Sequence, residues 1–215
     1  MTPLTYNPDI FSVPDADAAR RIILTEEGGL TTDSRWEIET PYLVELIRHQ
    51  LAPYAGGLLI DYGCGIGRLA KALIEQIGCA VLGVDLSPDM RSLAHGYVQS
   101  DAFSVVSPLV FRRLVNSGLR ADGAFSVWVI QHCLQPGRDL DLIREGLHNQ
   151  ARLVIVNNRL RVVPTIEIGW ADDGKDVRGL VAERFQPIAE GNLDPAYVGN
   201  VLANCAYWGS YQKQN

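Results

Sequence analysis

The most constraining feature of this sequence is a short apolar strand that runs through a glycine-rich turn into a helix. The run Leu58–Ile60 predicts the strand, Gly63–Gly67 carries glycine at every second position, and Leu69–Ile77 has helical periodicity. A helix that follows a strand in this way usually returns the chain to begin a parallel neighbour. We therefore expect an α/β fold.

The same alternation continues along the chain. Helical patterns lie ahead of the first strand and between most of the later ones, whereas no obvious helix separates the last two strands. Strands that are apolar on both faces are typical of parallel sheets covered on both sides. We expect one domain with a doubly wound, mostly parallel, seven-stranded sheet, an antiparallel edge strand and helices on both faces. The further strands are predicted at Ala80–Val84, Tyr97–Gln99, Ala124–Val129, Leu153–Val156, Phe185–Ala189 and Cys205–Tyr211.

Size and composition exclude several classes of protein. The 215 residues suit one full-sized domain, and 47% hydrophobic with 20% charged residues is typical of a globular chain. The 19 Lys and Arg against 25 Asp and Glu give a net charge of −6, which disfavours nucleic acid as a partner. No apolar run approaches the ~20 residues of a membrane helix. A cytoplasmic protein that binds neither nucleic acid nor membrane is expected, and its oligomeric state is left open.

The four cysteines predict neither a disulfide framework nor a metal site. They are scattered, with no CxxC pair and no histidine spaced to complete a zinc site. Reduced thiols are expected at Cys64, Cys79, Cys133 and Cys205.

Residues 1–36 differ from the rest of the chain in their pattern of proline and glycine. Prolines punctuate the segment, and Gly28-Gly29 interrupts a helical pattern that runs from about Asp15 to Glu27. We predict that residues 1–36 form a flap, or substrate lid, packed over a domain at residues 37–215.

The glycine turn predicts a ligand site. Glycines let the backbone approach a ligand closely, and the following helix offers unpaired N–H groups. Asp85 stands eighteen positions after Gly67, at the end of the next strand, where nucleoside-binding folds place a carboxylate on ribose hydroxyls. The pyrophosphate spacing G-x-G-x-x-G fails, because Arg68 occupies the third glycine position. Asp61, ahead of the turn, disfavours a pyrophosphate and suits an ammonium or sulfonium group.

These residues carry a resemblance to class I S-adenosylmethionine-dependent methyltransferases. Asp61–Gly67 is similar to their first motif, D-x-G-C-G-x-G, and Val84–Met90 resembles their second, an acidic residue followed by S-P-x-M. The likeness is strongest over residues 58–94 and extends to about residues 37–215. Less specific resemblances are Ser100–Ala102 to the acidic residue after strand three, Asp122–His132 to the fourth-strand motif, and Tyr207–Tyr211 to the closing strand.

The resemblance implies a Rossmann-like fold and S-adenosylmethionine as cofactor, with S-adenosylhomocysteine as product. The turn and the helix start would receive the methionyl end, and Asp85 would bind the ribose hydroxyls. Leu86 and Met90 would cover the adenine, and Asp101 would accept from its amino group. The implied cofactor residues are Asp61, Gly63, Cys64, Gly65, Gly67, Arg68, Asp85, Leu86, Met90, Asp101, Ala102, Val127 and Trp128.

The acceptor side is predicted from residues at the same edge of the sheet. His132, just after strand four, is the candidate catalytic base, although a structural role at a helix start fits it as well. Trp36 and Tyr42 are candidates for an apolar or cation-embracing wall, and Asn158 and Arg159 follow strand five. Arg35 is a candidate partner for the cofactor carboxylate.

We predict in-line transfer of a methyl group to an oxygen or nitrogen atom of a small molecule. The absence of large insertions favours a small molecule or an exposed peptide end over a folded macromolecule. Three alternatives remain open: methylation of peptide or protein N-termini, a non-catalytic cofactor-binding partner subunit, and a nicotinamide-dependent oxidoreductase. The glycine spacing and Asp61 argue against the last of these.

Overall fold

A computed structural model describes residues 5–52 and 55–214 as an α/β fold. The helices are α1 (Ala16–Ile23), α2 (Thr32–Leu51), α3 (Arg68–Ile77), α4 (Pro88–Val98), α5 (Pro108–Asn116), α6 (Pro136–Glu145), α7 (Val177–Ala182) and α8 (Pro195–Cys205). The strands are β1 (Leu58–Tyr62), β2 (Ala80–Val84), β3 (Phe103–Val106), β4 (Ala121–Val127), β5 (Leu147–Asn158), β6 (Val163–Thr165), β7 (Gly169–Ala171), β8 (Gln186–Gly191) and β9 (Ala206–Gln212). Single 3-10 turns lie at Pro8–Phe11 and Ile130–His132.

Seven strands form the main sheet in the order β3-β2-β1-β4-β5-β9-β8. The strands β1 to β5 are parallel, and β9 runs antiparallel to both β5 and the edge strand β8. This arrangement confirms the predicted fold class. The strand order reverses between β1 and β4, and open α/β sheets bind ligands outside the carboxyl ends of the strands at such a switch point.

The sheet is buried on both faces because successive side chains of its central strands enter different cores. In β5, Leu153 and Ile155 pack with Phe111 of α5 and Leu140 of α6. The intervening Val154 packs on the other face, among side chains of α2, α3 and α8. This period of two explains why the strands read as continuous apolar runs.

The predicted third strand at Tyr97–Gln99 is wrong. Tyr97 and Val98 end α4, and Gln99 closes that helix in a left-handed conformation. The third strand is β3, which lies after residues 100–102 rather than before them. Val98 packs against the glycine turn and against the domain core, so the apolar pair belongs to a helix face. The helix between β2 and β3 is therefore full length.

Two further elements escaped prediction. The helix α8 separates β8 from β9, and its pattern is interrupted by Gly199, which has a non-helical φ of 80° and ψ of 159°. A separate two-stranded sheet pairs β6 with β7 after the end of β5. Both elements are short, and their sequences carry no long periodic signal.

The N-terminal segment pairs with the β6–β7 hairpin. Tyr6 bridges Thr165, and the backbone N–H of Asn7 donates to the Pro164 carbonyl at 2.9 Å. Farther along, α1 packs by Ala19 against Ile66 of the glycine turn. The predicted flap boundary at residue 36 falls inside α2, so residues 32–36 belong to the first long helix. Residues 1–4 of the flap lie outside the described part.

Within residues 5–52 and 55–214, no helix is both long and apolar enough to cross a membrane.

Candidate functional site

A cavity of about 730 Å³ opens at the carboxyl ends of β1, β2, β4 and β5. Its floor is the sheet edge with the glycine turn, and its cover comes from the N-terminal segment and the β6–β7 hairpin. The volume lies within the range of small-molecule sites, and the position is the switch point of the sheet.

The glycine turn is shaped by three left-handed residues. Gly63, Gly65 and Gly67 have φ values of 82°, 54° and 84°. A Cβ at Gly63 would overlap Val129, and one at Gly67 would overlap Val98. A Cβ at Gly65 would stand 2.7 Å from the Ile23 Cδ1 atom of α1. Glycine is therefore required by the backbone and by the packing at each position.

Asp85 fastens the turn to the end of β2. Its carboxylate accepts hydrogen bonds from the Gly65 N–H at 2.8 Å and the Ser87 N–H at 2.9 Å. The side chain lies on the cavity lining, and burial raises its pKa, partly offset by these two hydrogen bonds. A carboxylate held in this position has acceptor capacity left for ligand hydroxyls.

Asp61 and Arg68 lie beneath the turn rather than on the lining. Both are buried, and burial together with the nearby Asp85 raises the pKa of Asp61 well above its ordinary value, while Arg68 opposes that shift. Cys64 is also buried, with its thiol pKa raised by burial and by Asp61. These three residues and Gly67 therefore lie off the cavity lining.

Glu39 of α2 binds two side chains that line the cavity, Arg35 and Trp128. Its carboxylate accepts from Arg35 at 2.8 Å and from the Trp128 indole Nε1 at 2.9 Å, and Arg68 approaches it at 3.5 Å. Arg35 also donates to the Thr25 carbonyl at 2.6 Å. Of the described lining residues, Arg35 is the only arginine or lysine.

Trp128 adopts a left-handed backbone with φ of 62°, which is uncommon for a bulky residue. Its backbone N–H donates to the Val156 carbonyl at 2.8 Å. The hydrogen bond to Glu39 and this backbone contact hold the indole against the cavity at the end of β4. Strained backbone of this kind is concentrated at functional sites.

His132 lines the cavity with one ring nitrogen turned to the backbone. Its Nδ1 lies 2.5 Å from the Val162 carbonyl, which only accepts, so Nδ1 carries the proton. Nε2 lies 3.2 Å from the Gln131 side-chain nitrogen and faces it as an acceptor. Burial lowers the pKa of His132, which favours this neutral form. Its ring packs against Trp170 and Phe11, at centroid distances of 5.2 and 5.9 Å.

A second polar group on the lining was not predicted from the sequence. Tyr62 donates to the Asp139 carboxylate at 2.5 Å, and the Cys133 thiol donates to the Val129 carbonyl. Burial raises the pKa of Asp139 and raises that of Tyr6 to about 12. The available signal was the start of α6 at Pro136, which places Asp139 in the first helical turn.

The structure brings about half of the predicted site residues to the cavity. Those on its lining are Gly63, Gly65, Asp85, Leu86, Met90, Val127, Trp128, His132 and Asn158. The lining also includes residues that sequence patterns did not single out, among them Tyr6, Phe11, Ile23, Tyr62, Asp139 and Trp170.

The placement of Asp101 and Ala102 was wrong. They precede β3 and therefore stand at the amino end of that parallel strand, opposite the cavity. Pro108, which opens the helix after β3, lies on the lining instead. Asp101 is exposed and cannot reach a ligand at the carboxyl ends of the strands.

Three predicted substrate residues also lie away from the cavity. Trp36 is held between the guanidinium groups of Arg20 and Arg68, at 4.9 and 5.4 Å. Tyr42 stacks on Tyr197 at 4.7 Å and accepts from the Asp194 N–H. Arg159 donates to the Asn192 side chain. These three side chains have suitable chemistry for substrate binding, but each makes its contacts on another surface of the protein.

Comparison with known protein families gives one domain match. Residues 59–154 match the family model described as "Methyltransferase domain". Among curated proteins, methyltransferase GfsG of Streptomyces halstedii is 24% identical over 144 residues, which is 66% of this chain and 49% of that protein. The chain spans less than half the length of the curated relatives it matches.

Solved structures share the fold over nearly the whole chain. N-methyltransferase NodS from Bradyrhizobium japonicum WM9, in complex with S-adenosyl-L-homocysteine, aligns with a TM-score of 0.67 at 14% identity, covering 92% of this chain and 97% of its own. Magnesium protoporphyrin IX methyltransferase from Synechocystis PCC 6803, with the same molecule bound, aligns with a TM-score of 0.67 at 15% identity, covering 96% and 97%. At such identities the likeness is one of fold.

Proposed function

We infer that this chain, with its methyltransferase domain on the class I methyltransferase fold, is an S-adenosylmethionine-dependent methyltransferase that acts on a small molecule. The observation that carries the proposal is Asp85, held by Gly65 of the glycine turn at the wall of the cavity. The same arrangement fits a nucleoside ligand whose ribose hydroxyls donate to a carboxylate. The two structural relatives described above were crystallised with S-adenosyl-L-homocysteine.

The chemistry of the lining fits a cationic sulfonium cofactor. Asp85 and Glu27 bring negative charge to the cavity, and Arg35, which is paired with Glu39, brings a positive charge. Asp85 would bind the ribose, Leu86 and Met90 would cover the adenine, and Arg35 would pair with the amino-acid carboxylate. Gly63 and Gly65 would let the backbone approach the ligand closely.

The protein's own contribution would be mainly positioning. When bound, the cofactor supplies an activated methyl group, so the chain needs to hold the acceptor in line and exclude water. Trp128, fixed by Glu39, and Val129, packed on Gly63, would set the wall between the cofactor end and the acceptor end. The N-terminal segment and the β6–β7 hairpin would close the acceptor end.

His132 remains the candidate for removing a proton from a hydroxyl acceptor. Its Nε2 lone pair and its neutral form suit a base, and the Val162 carbonyl orients the ring. The Gln131 side chain would have to yield Nε2 to the acceptor. Asn158, also on the lining, is retained as a substrate-binding residue.

Turnover with pooled acceptors tests this function. The protein would be incubated with S-adenosylmethionine and separate pools of amines, phenols, carboxylic acids and short peptides, with S-adenosylhomocysteine and methylated product measured by mass spectrometry. We expect product from a small-molecule pool. Product from the peptide pool alone would favour N-terminal peptide methylation, and tight cofactor binding without any product would favour a non-catalytic subunit; either result contradicts the proposal.

A further inference from the structure

We propose that the methyl acceptor is an apolar amine, bound as its cation by Asp139 inside an aromatic pocket at the acceptor end of the cavity. This inference rests on the proposed function and specifies its substrate class. It is drawn from three features of the described lining: its apolar walls, the Asp139 carboxylate without an ion pair, and an acceptor atom that has no donor.

The walls of the acceptor end are aromatic and apolar. The rings of Phe11, His132 and Trp170 contact one another at centroid distances between 5.2 and 6.4 Å. Tyr62 and Leu134 lie on the same lining. Ring faces attract an ammonium group, and apolar walls favour a hydrophobic skeleton over a polar one.

Asp139 gives this pocket its charge. Its carboxylate accepts from the Tyr62 hydroxyl, which is an uncharged donor. It makes no ion pair with any residue in the described part of the chain. Asp139 is partly buried, so its charge carries a desolvation cost that a cationic ligand would offset.

The nearest buried arginine is already committed. Arg161 donates to Asp173, to the Ile130 carbonyl and to the Cys133 carbonyl, and it does not line the cavity. Arg35, the lining cation, pairs with Glu39 and is assigned above to the carboxylate of the cofactor. The exposed Arg112 also acts on Asp139, lowering its pKa in part, but it is not on the described lining. The lining itself therefore offers no arginine or lysine at the acceptor end for a carboxylate or phosphate substrate.

Asn158 provides the independent observation. Its side-chain Oδ1 is buried and has no hydrogen-bond donor among the described residues, although the residue lines the cavity. A buried acceptor without a donor costs about 1–3 kcal/mol. An ammonium or amine N–H would supply the donor that this oxygen lacks.

The Asp139 carboxylate would also accept the proton that the ammonium group loses. An ammonium acceptor must lose one proton before its nitrogen lone pair is free, and that proton would pass to an Asp139 oxygen and later to solvent. Burial raises the pKa of Asp139, which brings it closer to that of an ammonium and eases the transfer. No other base is then needed for a nitrogen acceptor.

The experiment compares ligands that differ only in their polar end. Benzylamine, 2-phenylethylamine, 3-phenylpropylamine and tryptamine would be titrated calorimetrically beside the alcohols and carboxylates of the same skeletons, with the protein saturated by S-adenosylhomocysteine. Asp139→Asn is the test variant. Asp141→Asn is the matched control, since Asp141 lies on the same helix, has a half-exposed side chain and pairs with Arg184 outside the cavity.

We expect the best amine to bind wild type and Asp141→Asn at least about tenfold more tightly than its alcohol, with the carboxylate weakest. In Asp139→Asn this preference is lost while S-adenosylhomocysteine binding is unchanged. The inference is overturned if no amine binds, if alcohols or carboxylates bind equally well, or if the preference survives in Asp139→Asn. Failure of S-adenosylhomocysteine to bind wild type would instead overturn the proposed function. Circular dichroism and Tm of each variant show that it is folded.

Discussion

Glu39 holds three side chains in place beneath the cavity. It is fully buried, and it pairs with Arg35 and Arg68 while accepting from the Trp128 indole. Two of these partners line the cavity, so one carboxylate on α2 orients both a cation and an aromatic wall. Its role could not be read from the sequence, because Trp128 lies 89 positions away along the chain.

Removing that carboxylate is expected to destabilise the protein strongly. Glu39→Ala leaves two buried guanidinium groups and an indole N–H without their partner, so the free energy of unfolding should fall by about 3–5 kcal/mol. Urea denaturation measures the loss. Glu45→Ala is the matched control, because Glu45 forms an exposed pair with Arg48 on the same helix. Equal effects of the two substitutions would contradict the assigned role of Glu39.

Residues with local signals were predicted, and those that depend on distant partners were not. A contiguous strand, turn and helix pattern predicts the roles of Asp85 and the three glycines. Asp139 is identified as a site residue by its hydrogen bond with Tyr62, which lies 77 positions earlier. No periodic pattern in the sequence predicts that these two residues meet. Tyr42 and Trp36 carried the right chemistry for a site but face other surfaces.

At the scale of elements, the errors have identifiable physical causes. The apolar pair at the end of α4 imitates a short strand, whereas the true β3 contains Ser104, which is exposed at the edge of the sheet. The helix α8 was hidden by the kink at Gly199. The N-terminal segment pairs with β6 through Tyr6 and Thr165, and its role as a substrate lid stays a prediction.

The flap is expected to become better protected when the cofactor site is filled. Ile22, Ile23 and Thr25 line the cavity at the end of α1, so a bound S-adenosylhomocysteine would contact them and hinder local opening. Hydrogen exchange with mass spectrometry should show amides of residues 16–27 slowing about tenfold on binding. The distant edge strand β8 serves as the internal control. Unchanged exchange of α1 at saturation would contradict this placement of the ligand.

Considered as a whole, the molecule places destabilising carboxyl groups both on the cavity lining and beneath the glycine turn. Burial raises the pKa of Asp61, Asp85 and Asp139. Each therefore binds its proton more tightly in the folded than in the unfolded chain, and the free energy of unfolding falls as the pH rises through these raised values. Such a cost is common where a site is built for a ligand rather than for stability.

Asp139→Asn isolates one of these contributions. The amide cannot ionise, so the Tm of the variant relative to wild type should increase as the pH rises from the ordinary aspartate pKa of about 4 through the raised pKa of Asp139. A relative gain of roughly 2–4 °C corresponds to about 1 kcal/mol in a chain of this size. Scanning calorimetry of wild type, Asp139→Asn and Asp141→Asn measures it. A relative Tm of Asp139→Asn that falls with rising pH would contradict the assigned burial cost.

The overall fold was predictable because it follows from repeated local patterns. Each central strand is apolar on both faces and is separated from the next by a helix, which suffices to indicate a doubly wound parallel sheet. The β6–β7 hairpin and the cover of the cavity depend instead on tertiary pairing between residues 5–11 and 163–171. These covering elements would form the proposed acceptor pocket, and they carry the weakest sequence signals.

The most direct test of the account is calorimetric titration of S-adenosylmethionine, S-adenosylhomocysteine and NADH into wild type, Asp85→Asn and Asp101→Asn. We predict saturable binding of the first two ligands and none of NADH. Asp85→Asn should weaken binding at least about tenfold, because a charged acceptor is lost, and Asp101→Asn should bind as wild type does. Binding of NADH alone, or equal affinity in Asp85→Asn and wild type, would contradict the assignment of this cavity to S-adenosylmethionine.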